Sequence, residues 1–409
     1  MLNKHFAVSV AMISMLFSTA ACSNQSAIDT NADLEKYQEA KNPLNDSFVT
    51  NDKPAFTTKA VATFNEPWAM TALPTINNES PKLLVTQKTG ELFIVNIKTG
   101  AKTAVAGIPK VAYGGQGGLG DIILAPDFAT SKNIYLSYVE AGTGVDSNKF
   151  GAQVIKAKLA GLDTGQLSLR EITPIWQQTP KMKGQGHYSH RLLLSPDEQY
   201  LYISSGERQE KTPAQDMSGN LGKIIRLNLD GSLPKDNPFA DTNNDIAAQF
   251  WSIGHRNVLG MVFDEKGQLW AHEMGPRGGD EFNLIKKGKN YGWPIVSNGR
   301  NYSGVDIPDH DTRPEFEAPK MTWTPVISPS SISIYKAGTH NDFPAWQGNA
   351  LISSLSSKAL IVVNFDNDNA TTERYRYDMG KRIRSVLNVD GQVWILEDGN
   401  DAQLLRLQP

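Results

Sequence analysis

The chain of 409 residues contains a single cysteine, Cys22, which excludes an intrachain disulfide and any metal site built from several cysteines. It also lacks an excess of positive charge, because its net charge is −3, and this argues against a broad nucleic-acid-binding surface. Long stretches with helical periodicity are scarce. Hydrophobic residues make up 40% of the chain, enough for a large core, and the 34 glycines and 22 prolines favour a turn-rich β protein.

The N-terminus has the layout of a secretory signal peptide. Lys4 provides a positive charge, residues 6–17 are mostly apolar, and small residues at 19–21 precede Cys22. This arrangement resembles a bacterial lipobox, so we expect residues 1–21 to be removed and Cys22 to carry lipid. An ordinary signal peptide with an incidental cysteine is the alternative. The sequence predicts export to the periplasm, with a lipid anchor as the only attachment to a membrane.

Residues 22–58 and 59–409 differ in composition. The first segment is polar, rich in Asn, Asp, Ser and Lys, and has no sustained periodicity, so we interpret it as a tether. The second segment repeats one unit, a tight turn followed by a strand that alternates apolar and polar residues. Clear copies are KTGELFIVN (88–96), SKNIYLSYVE (131–140), DEKGQLWAHEMG (264–275) and VDGQVWILEDG (389–399).

Irregularly spaced hairpins over some 350 residues predict an all-β fold, most simply a β-propeller with long inserted loops. A long array of β-sandwiches is the alternative. In a propeller the loops that connect the blades meet at one end of a central channel, so residues far apart in sequence can share one pocket. Loops also carry function more often than the scaffold does.

Two segments in the first half carry candidate polar groups. Gln116 lies in GGQGGLGD (114–121), which lacks the Lys-Ser/Thr pair of a phosphate loop and suits either the approach of a flat ligand or a plain turn. His187 precedes a strand, where it could act as a base near neutral pH, and Glu207 could orient it from the next hairpin. A metal site shared with His190, or a structural histidine, is the alternative.

Two later segments add oxygen ligands and cations. In WSIGHRNVLGM (251–261) and HEMGPRGGDEFNLIKKGKNYGWP (272–294), Arg256 and Asn257 precede carboxylates and Gly-Pro carbonyls that suit calcium better than zinc. Further along, Arg382 and Arg384 flank Ile383 and therefore share one face of a strand. Together with Lys358 they would form a clamp for a polyanion, unless that face is simply solvated.

These segments, in this order, resemble the soluble quinoprotein sugar dehydrogenases, which form the glucose/sorbosone dehydrogenase family. The resemblance covers roughly residues 60–407 and is most specific in GHRN, GPRGGDE, KGKNYGWP and KRIRSV. It implies a six-bladed propeller that uses pyrroloquinoline quinone and Ca²⁺ to oxidise an aldose sugar to its lactone. An external acceptor, a quinone or a cytochrome, would then take the electrons.

The resemblance also implies residue roles. His187 would be the general base, Glu207 its acidic partner, and Arg256 a donor to the quinone oxygen. The carbonyls of Gly275 and Pro276 would hold the catalytic calcium, and a second, structural calcium maps in part onto Glu281 and Tyr291. The expected cofactor contacts are Gln116, Arg256, Asn257, Lys358, Arg382 and Arg384.

Two departures from the family pattern bear on activity. Met274 stands where relatives often carry Gln or His, and His190 replaces a usual Gly, which would add bulk next to the base. Two other functions compete with the dehydrogenase. A calcium-dependent propeller lactonase would have no use for the arginine clamp, and a non-enzymatic envelope lipoprotein would use the propeller only as a binding platform.

Overall fold

The computed structural model describes residues 53–74, 81–366 and 370–409. The expected signal peptide, Cys22 and most of the expected tether lie outside the described residues. The folded body begins before the expected boundary at residue 59, because the Phe56 ring lies 4.8 Å from Tyr377 and within about 6 Å of Phe343 and Trp346. The last residues of the expected tether therefore pack on the propeller.

The described residues form short helical turns and many strands. The helical segments are α1 (Phe128–Ser131) and the 3₁₀ turns Gly144–Asp146, Thr212–Ala214, Ala247–Gln249, His310–Thr312 and Pro344–Trp346. None of these described helices is long and apolar enough to cross a membrane. The strands are β1 (Thr57–Phe64), β2 (Pro67–Leu73), β3 (Lys82–Gln87), β4 (Glu91–Asn96), β5 (Lys102–Ala104), β6 (Leu119–Leu124), β7 (Asn133–Ala141), β8 (Phe150–Ala160), β9 (Ser168–Gln177), β10 (Ser189–Leu194), β11 (Tyr200–Ser205), β12 (Lys223–Asn228), β13 (Phe250–Ile253), β14 (Val258–Phe263), β15 (Leu269–Glu273), β16 (Asp280–Ile285), β17 (Met321–Trp323), β18 (Pro329–Ile334), β19 (Ala350–Ser354), β20 (Ala359–Phe365), β21 (Thr371–Asp378), β22 (Ile383–Val389), β23 (Gln392–Glu397) and β24 (Ala402–Gln408).

These strands form six antiparallel sheets of four strands each, which are the blades of a β-propeller. The sheets are β2–β5, β6–β9, β10–β13, β14–β17, β18–β21, and a last blade in the order β22-β23-β24-β1. The inner strands β2, β6, β10, β14, β18 and β22 contact one another in a closed ring. The prediction of an all-β six-bladed propeller is confirmed.

The last blade joins the two ends of the folded body. Its outer strand is β1, which pairs with β24 from Thr57 opposite Gln408 to Phe64 opposite Ala402. Phe64 is buried and packs with residues of β23 and β24 such as Trp394 and Leu404. This pairing closes the ring, so the blade depends on residues from both ends of the chain.

Each inner strand is irregular at the same place. In all six blades the register between the inner strand and its neighbour shifts within the first few residues of the inner strand. Such bulges bend a strand and redirect its side chains. Residues at or just before the start of the inner strands, such as Trp68, Ser189, Asn257 and Arg384, line the cavity of the candidate site.

Apolar side chains fill the spaces between neighbouring blades. Leu84 and Ile94 of one blade pack with Leu136 and Ile155 of the next, and all four are buried. Full burial of such a side chain contributes about 1.5–3 kcal/mol each. The alternating residues seen in the sequence therefore belong to strands that pack against a neighbouring blade on each of their two faces.

Candidate active site

A cavity of about 430 Å³ opens at the channel end where the inner strands begin. This volume lies within the range of small-molecule sites. Four of the expected site residues line the cavity, namely Gln116, Asn257, Arg382 and Arg384. The other lining residues are Glu66, Trp68, Lys88, Gly115, Tyr188, Ser189, His190, Leu259, Met274, Ser328, Leu355, Asp398 and Gly399.

His187 and Glu207 form a buried pair that does not itself line this cavity, although the neighbouring Tyr188 and Ser189 do. His187 Nδ1 lies 2.5 Å from Glu207 Oε1, and the two residues are 6% and 1% exposed. The other carboxylate oxygen, Oε2, accepts a hydrogen bond of 2.6 Å from the backbone N–H of Lys211. Both carboxylate oxygens are thus engaged, which fixes the orientation of the imidazole and leaves its Nε2 as the nitrogen that can exchange a proton.

The charges of this pair are set by burial and by their mutual contact. Burial lowers the pKa of His187 below its ordinary value, although the hydrogen bond with Glu207 acts in the opposite direction. Burial would raise the pKa of Glu207, but the hydrogen bond and charge of His187 outweigh it and lower that pKa. At neutral pH the pair is therefore a neutral imidazole held by a carboxylate, the state that a general base requires.

The backbone around His187 is strained. His187, Ser189 and His190 have φ values of 47°, 56° and 55°, in the left-handed region that residues other than glycine rarely occupy. Such conformations cost of order 1–3 kcal/mol each and cluster at functional sites. The strained segment leads from the loop into β10, and its two histidines have different partners, Glu207 for His187 and Trp68 for His190.

Two amide side chains hold the His187 segment in place. The backbone N–H of His187 donates to Gln116 Oε1 at 2.7 Å. The hydroxyl of Ser189 donates to Asn257 Oδ1 at 3.0 Å. Gln116 and Asn257 come from the loops before β6 and β14, so three blades position the histidine. Both amides also line the cavity, where their remaining polar atoms can meet a ligand.

The guanidinium of Arg256 binds the start of the loop between β15 and β16. Its NH1 donates to the carbonyls of Met274 and Gly275 at 2.9 and 2.8 Å, and its NH2 donates to the hydroxyl of Tyr302 at 3.2 Å. Arg256 is 4% exposed and does not line the cavity, but Met274, to whose carbonyl it donates, does. The guanidinium is thus held in place next to the cavity by backbone carbonyls.

Arg382 and Arg384 share one carboxylate, that of Asp398. Arg382 Nε donates to Asp398 Oδ2 at 2.7 Å, and Arg384 Nε donates to Asp398 Oδ1 at 2.8 Å. Burial would raise the pKa of Asp398, but the two guanidiniums, Arg384 above all, lower it. One carboxylate cannot neutralise two cations, so this wall of the cavity keeps a net positive charge. Lys358 is exposed in the β19–β20 loop and is not among the lining residues.

The expected calcium ligands lie in the loop between β15 and β16 and just beyond it. The Gly275 carbonyl accepts from Arg256, and the Gly275 N–H donates to Asp280 Oδ1 at 2.7 Å. Glu281 pairs across the sheet with Glu273, and burial together with that neighbouring charge raises its pKa well above the usual range. The Tyr291 carbonyl faces His310 Nε2 at 3.1 Å.

These ligands do not gather into one cluster of ionisable groups. Among the described residues, no group of three or more His, Cys, Asp and Glu side chains is arranged to hold a metal ion. Gly275 and Pro276 have no side-chain ligand atoms and could contribute only their backbone carbonyls. Any catalytic calcium would therefore need further oxygen ligands from a bound molecule.

His190 does not crowd the base. Its ring stacks on Trp68 with centroids 4.9 Å apart and planes 8° apart, and its Nδ1 lies 2.8 Å from Ser137 Oγ. A Cβ on Gly120 would come within 2.0 Å of this ring, so the absence of a side chain there makes room for it. Burial lowers the pKa of His190 to about 3, which keeps the ring neutral.

Several residues of the site were not found from the sequence. Asp398, Tyr302 and Trp68 contact expected site residues, but they belong to segments that read as an ordinary hairpin, a loop and a strand. Asp398 offered one signal, because it follows directly after the alternating strand that ends at Glu397, as other site residues do. Tyr302 and Trp68 offered none without the fold.

Comparison with known proteins assigns the chain to a family. The profile described as glucose/sorbosone dehydrogenase matches residues 64–406. The chain belongs to this family. The aldose sugar dehydrogenase YliI of Escherichia coli K12 is 36% identical over 350 residues, covering 84% of this chain and 90% of that protein.

Solved structures agree with this assignment. The soluble aldose sugar dehydrogenase of Escherichia coli in its apo-form has a TM-score of 0.78 and 35% identity, covering 87% of this chain and 100% of that one. The PQQ-bound aldose sugar dehydrogenase of Streptomyces coelicolor has a TM-score of 0.69 and 27% identity, with coverage of 87% and 99%. The glucose/sorbosone dehydrogenase propeller thus extends over the described body of the chain.

Proposed function

We propose that this protein oxidises an aldose sugar at its anomeric carbon to the lactone, with pyrroloquinoline quinone and Ca²⁺ as cofactors, and passes the electrons to an external acceptor. The observation that carries the proposal is the buried His187–Glu207 pair beside a cavity with a cationic wall. Family membership and the aldose sugar dehydrogenase relatives support the same reaction class.

The cavity suits a flat polyanion such as pyrroloquinoline quinone, which is a tricarboxylate. Arg382 and Arg384 provide more positive charge than Asp398 balances, and guanidiniums bind carboxylates in bidentate fashion. Gln116 and Asn257 add amide donors and acceptors on the same cavity. A family member of known structure binds this cofactor, as described for Streptomyces coelicolor. Lys358 would complete the set of cations from the neighbouring loop.

The oxygen ligands suit calcium, which prefers carbonyl and carboxylate oxygens. Around Gly275 the backbone is folded so tightly that a Cβ would lie 2.4 Å from the carbonyl oxygens of Gly278 and Gly279. Carbonyl groups therefore crowd this turn, and Gly275 and Pro276 would hold the catalytic ion. Burial raises the pKa of Glu281, and the charges of Glu273 and Asp280 raise it further. A second, structural cation there would relieve this repulsion, with the Tyr291 carbonyl as a further ligand.

When bound, the quinone would supply an electrophilic carbonyl as the hydride acceptor, and calcium held by the Gly275 and Pro276 carbonyls would strengthen that electrophile as a Lewis acid. The neutral His187 Nε2 removes the proton from the anomeric hydroxyl of the sugar. Glu207 then stabilises the imidazolium through Nδ1, and Arg256 places a fixed positive charge near the oxygen on which negative charge develops. Glu207 and Arg256 are both held in place by hydrogen bonds before the substrate binds, which lowers the reorganisation energy of the reaction.

The proposal is tested by reconstitution. Purified protein is loaded with calcium and titrated with pyrroloquinoline quinone while the quinone absorbance is recorded, and a panel of aldoses is then added. We expect saturable binding and sugar-dependent bleaching, and His187→Ala should bind the cofactor but lose the bleaching. Absence of cofactor binding in the unmodified protein would contradict the proposal and would favour a binding platform.

The location of the protein is also part of the proposal. We infer export through residues 1–21 and a lipid on Cys22, which would hold the propeller at a membrane that faces the periplasm, close to a quinone or cytochrome acceptor. The layout of the N-terminal sequence supports this inference. Mass spectrometry of the mature N-terminal peptide tests it, and an unmodified cysteine or cleavage at another position would contradict it.

A further inference from the structure

A second buried histidine–glutamate pair lies behind Arg256 and takes no direct part in the proposed chemistry. His255 Nδ1 lies 2.9 Å from Glu273 Oε1, and His255 Nε2 lies 2.8 Å from Ser252 Oγ. These three residues are at most 3% exposed. A Ser-His-Glu arrangement can form a hydrolytic site, but here Ser252 and the His255 side chain are fully buried, whereas the His187 side chain keeps 8% of its surface exposed.

The hydrogen bonds of Glu273 show which segments the His255–Glu273 pair holds together. Its Oε2 accepts a hydrogen bond of 2.6 Å from the backbone N–H of Arg256. Its Oε1 accepts from His255 and, at 3.3 Å, from Asn283 Nδ2. Glu273 is the last residue of β15, and Arg256 lies just before β14. One carboxylate therefore ties the loop that carries Arg256 to the end of the neighbouring strand.

The carbonyl group of Arg256 connects this network to the proposed base, His187. The carbonyl of Arg256 accepts a hydrogen bond of 3.0 Å from the backbone N–H of Glu207. Glu207 in turn orients His187 through its side chain. A continuous series of hydrogen bonds thus runs from His255 through Glu273 and the backbone of Arg256 to the His187–Glu207 pair, and it passes through the segment whose guanidinium lies beside the cavity.

We propose that Glu273, oriented by His255, is a positioning residue that fixes Arg256 relative to the His187–Glu207 pair. This inference rests on the proposed function, because the role of Arg256 does. A carboxylate is required at position 273, since all three of its contacts are N–H donors, and an amide would present its own N–H to at least one of them. Hydrogen bonds to charged acceptors are also the stronger kind.

Glu273→Gln is the variant that tests the proposal. We expect the rate of cofactor reduction at saturating sugar to fall roughly 10- to 100-fold, the range for losing a hydrogen bond to a charged group, with the KM for the sugar nearly unchanged. The affinity for pyrroloquinoline quinone, measured by absorbance without sugar, should also weaken because Arg256 contacts the cofactor in the proposed site. In an Arg256→Ala background, Glu273→Gln should cause a much smaller loss, since the guanidinium that it positions is already absent and only the backbone contacts of residue 256 remain.

Asp264→Asn is the matched control. Asp264 lies in the turn at the far end of the same hairpin, and it also accepts three N–H bonds, from Lys266, Gln268 and the Trp270 indole. It should lower stability without changing cofactor affinity or the reduction rate. If Glu273→Gln does not fold, His255→Leu removes one donor to Glu273 and should show a smaller loss with the same dependence on Arg256.

The outcomes separate the inference from the proposed function. If the unmodified protein neither binds nor reduces the cofactor, the proposed function fails and the positioning role fails with it. If the unmodified protein is active and Glu273→Gln loses only stability, as Asp264→Asn does, the positioning role is overturned while the function stands. Additive losses in Glu273→Gln and Arg256→Ala would also overturn it.

Discussion

At the scale of single residues, the buried carboxylates of the site differ in what faces them. Glu207 faces one histidine, Asp398 faces two guanidiniums, and Glu281 faces other carboxylates. Burial acts to raise the pKa of all three carboxylates; the groups that face the first two outweigh it and lower their pKa, while the facing carboxylates add to it and raise the pKa of the third. The first carboxylate is therefore suited to orienting a base and the second to holding the two guanidiniums in place, while the third is in a site that disfavours its charged form.

The first prediction concerns pH. Because burial lowers the pKa of His187 below its ordinary value of 6.5, the acid limb of kcat/KM should lie below pH 6.5. Glu207 acts to raise this pKa, so Glu207→Gln should move the limb to still lower pH. It should also reduce kcat by about 10²-fold or more, the usual contribution of general base catalysis. The measurement is a pH–rate profile of both proteins.

Glu210→Gln controls for the loss of negative charge near the base. Glu210 is exposed and lies three residues from Glu207, so this variant should leave the acid limb in place. A limb that moves to higher pH in Glu207→Gln would contradict the assignment of His187 as the titrating base.

The second prediction concerns the cationic wall. Replacing both Arg382 and Arg384 with alanine removes two charge-assisted contacts, so the affinity for pyrroloquinoline quinone should fall at least 100-fold. Titration of cofactor absorbance measures this loss. Lys381→Ala is the control, because Lys381 is a neighbouring cation that pairs with Glu397 away from Asp398. A calcium-dependent lactonase activity that survives the double replacement would contradict the dehydrogenase and favour the hydrolase.

At the scale of elements, the strands could be predicted from the sequence, but the β-bulges within them could not. Alternating residues and tight turns predicted hairpins such as 88–96 and 389–399, and these are β4 and β23 with their turns. The bulges at the start of the inner strands leave no such pattern, because they depend on pairing between strands. For this reason the sequence predicted crowding of His187 by His190, whereas the bulge of β10 turns His190 onto Trp68.

The contacts within the candidate site could likewise be predicted from the sequence only where they are local. Arg382 and Arg384 could be placed on one face because alternation along a strand is local. Their shared partner Asp398 lies across the same hairpin, next to the paired residues Ile383 and Glu397, whereas the contact of Arg256 with Tyr302 joins loops 46 residues apart. Contacts of the second kind depend on the tertiary fold, and for this chain the order of family motifs, rather than periodicity, indicated which residues meet.

The third prediction tests how β6 and β10 fit together. Gly120→Ala should destabilise the protein by about 1–3 kcal/mol, since its Cβ would overlap the His190 ring. His190→Gly should also destabilise it by removing the stack on Trp68. The double variant should be more stable than the sum of both losses, and chemical denaturation measures this coupling. Strictly additive losses would contradict the contact between these two residues.

At the scale of the whole molecule, the ring is closed by hydrogen bonds rather than by covalent bonds. The single cysteine leaves no disulfide to join the first and last strands, so the pairing of β1 with β24 carries this function. The candidate site takes side chains from the start of inner strands around the ring, including Asn257 and Arg384. Closure of the propeller is therefore a condition for assembling the site.

The fourth prediction follows from this closure. A chain that begins at residue 65 lacks β1 and exposes the edge of β24, while a chain that begins at residue 53 keeps β1 and serves as the control. We expect the shorter chain to lose more than the roughly 3–5 kcal/mol that removing a buried phenylalanine such as Phe64 costs, because pairing is lost as well. Denaturant unfolding compares their stabilities, and cofactor titration compares their sites.

Since Arg384 lies in the same blade, the shorter chain should also bind pyrroloquinoline quinone less tightly. Equal stability and affinity in the two chains would show that the blade closes without β1.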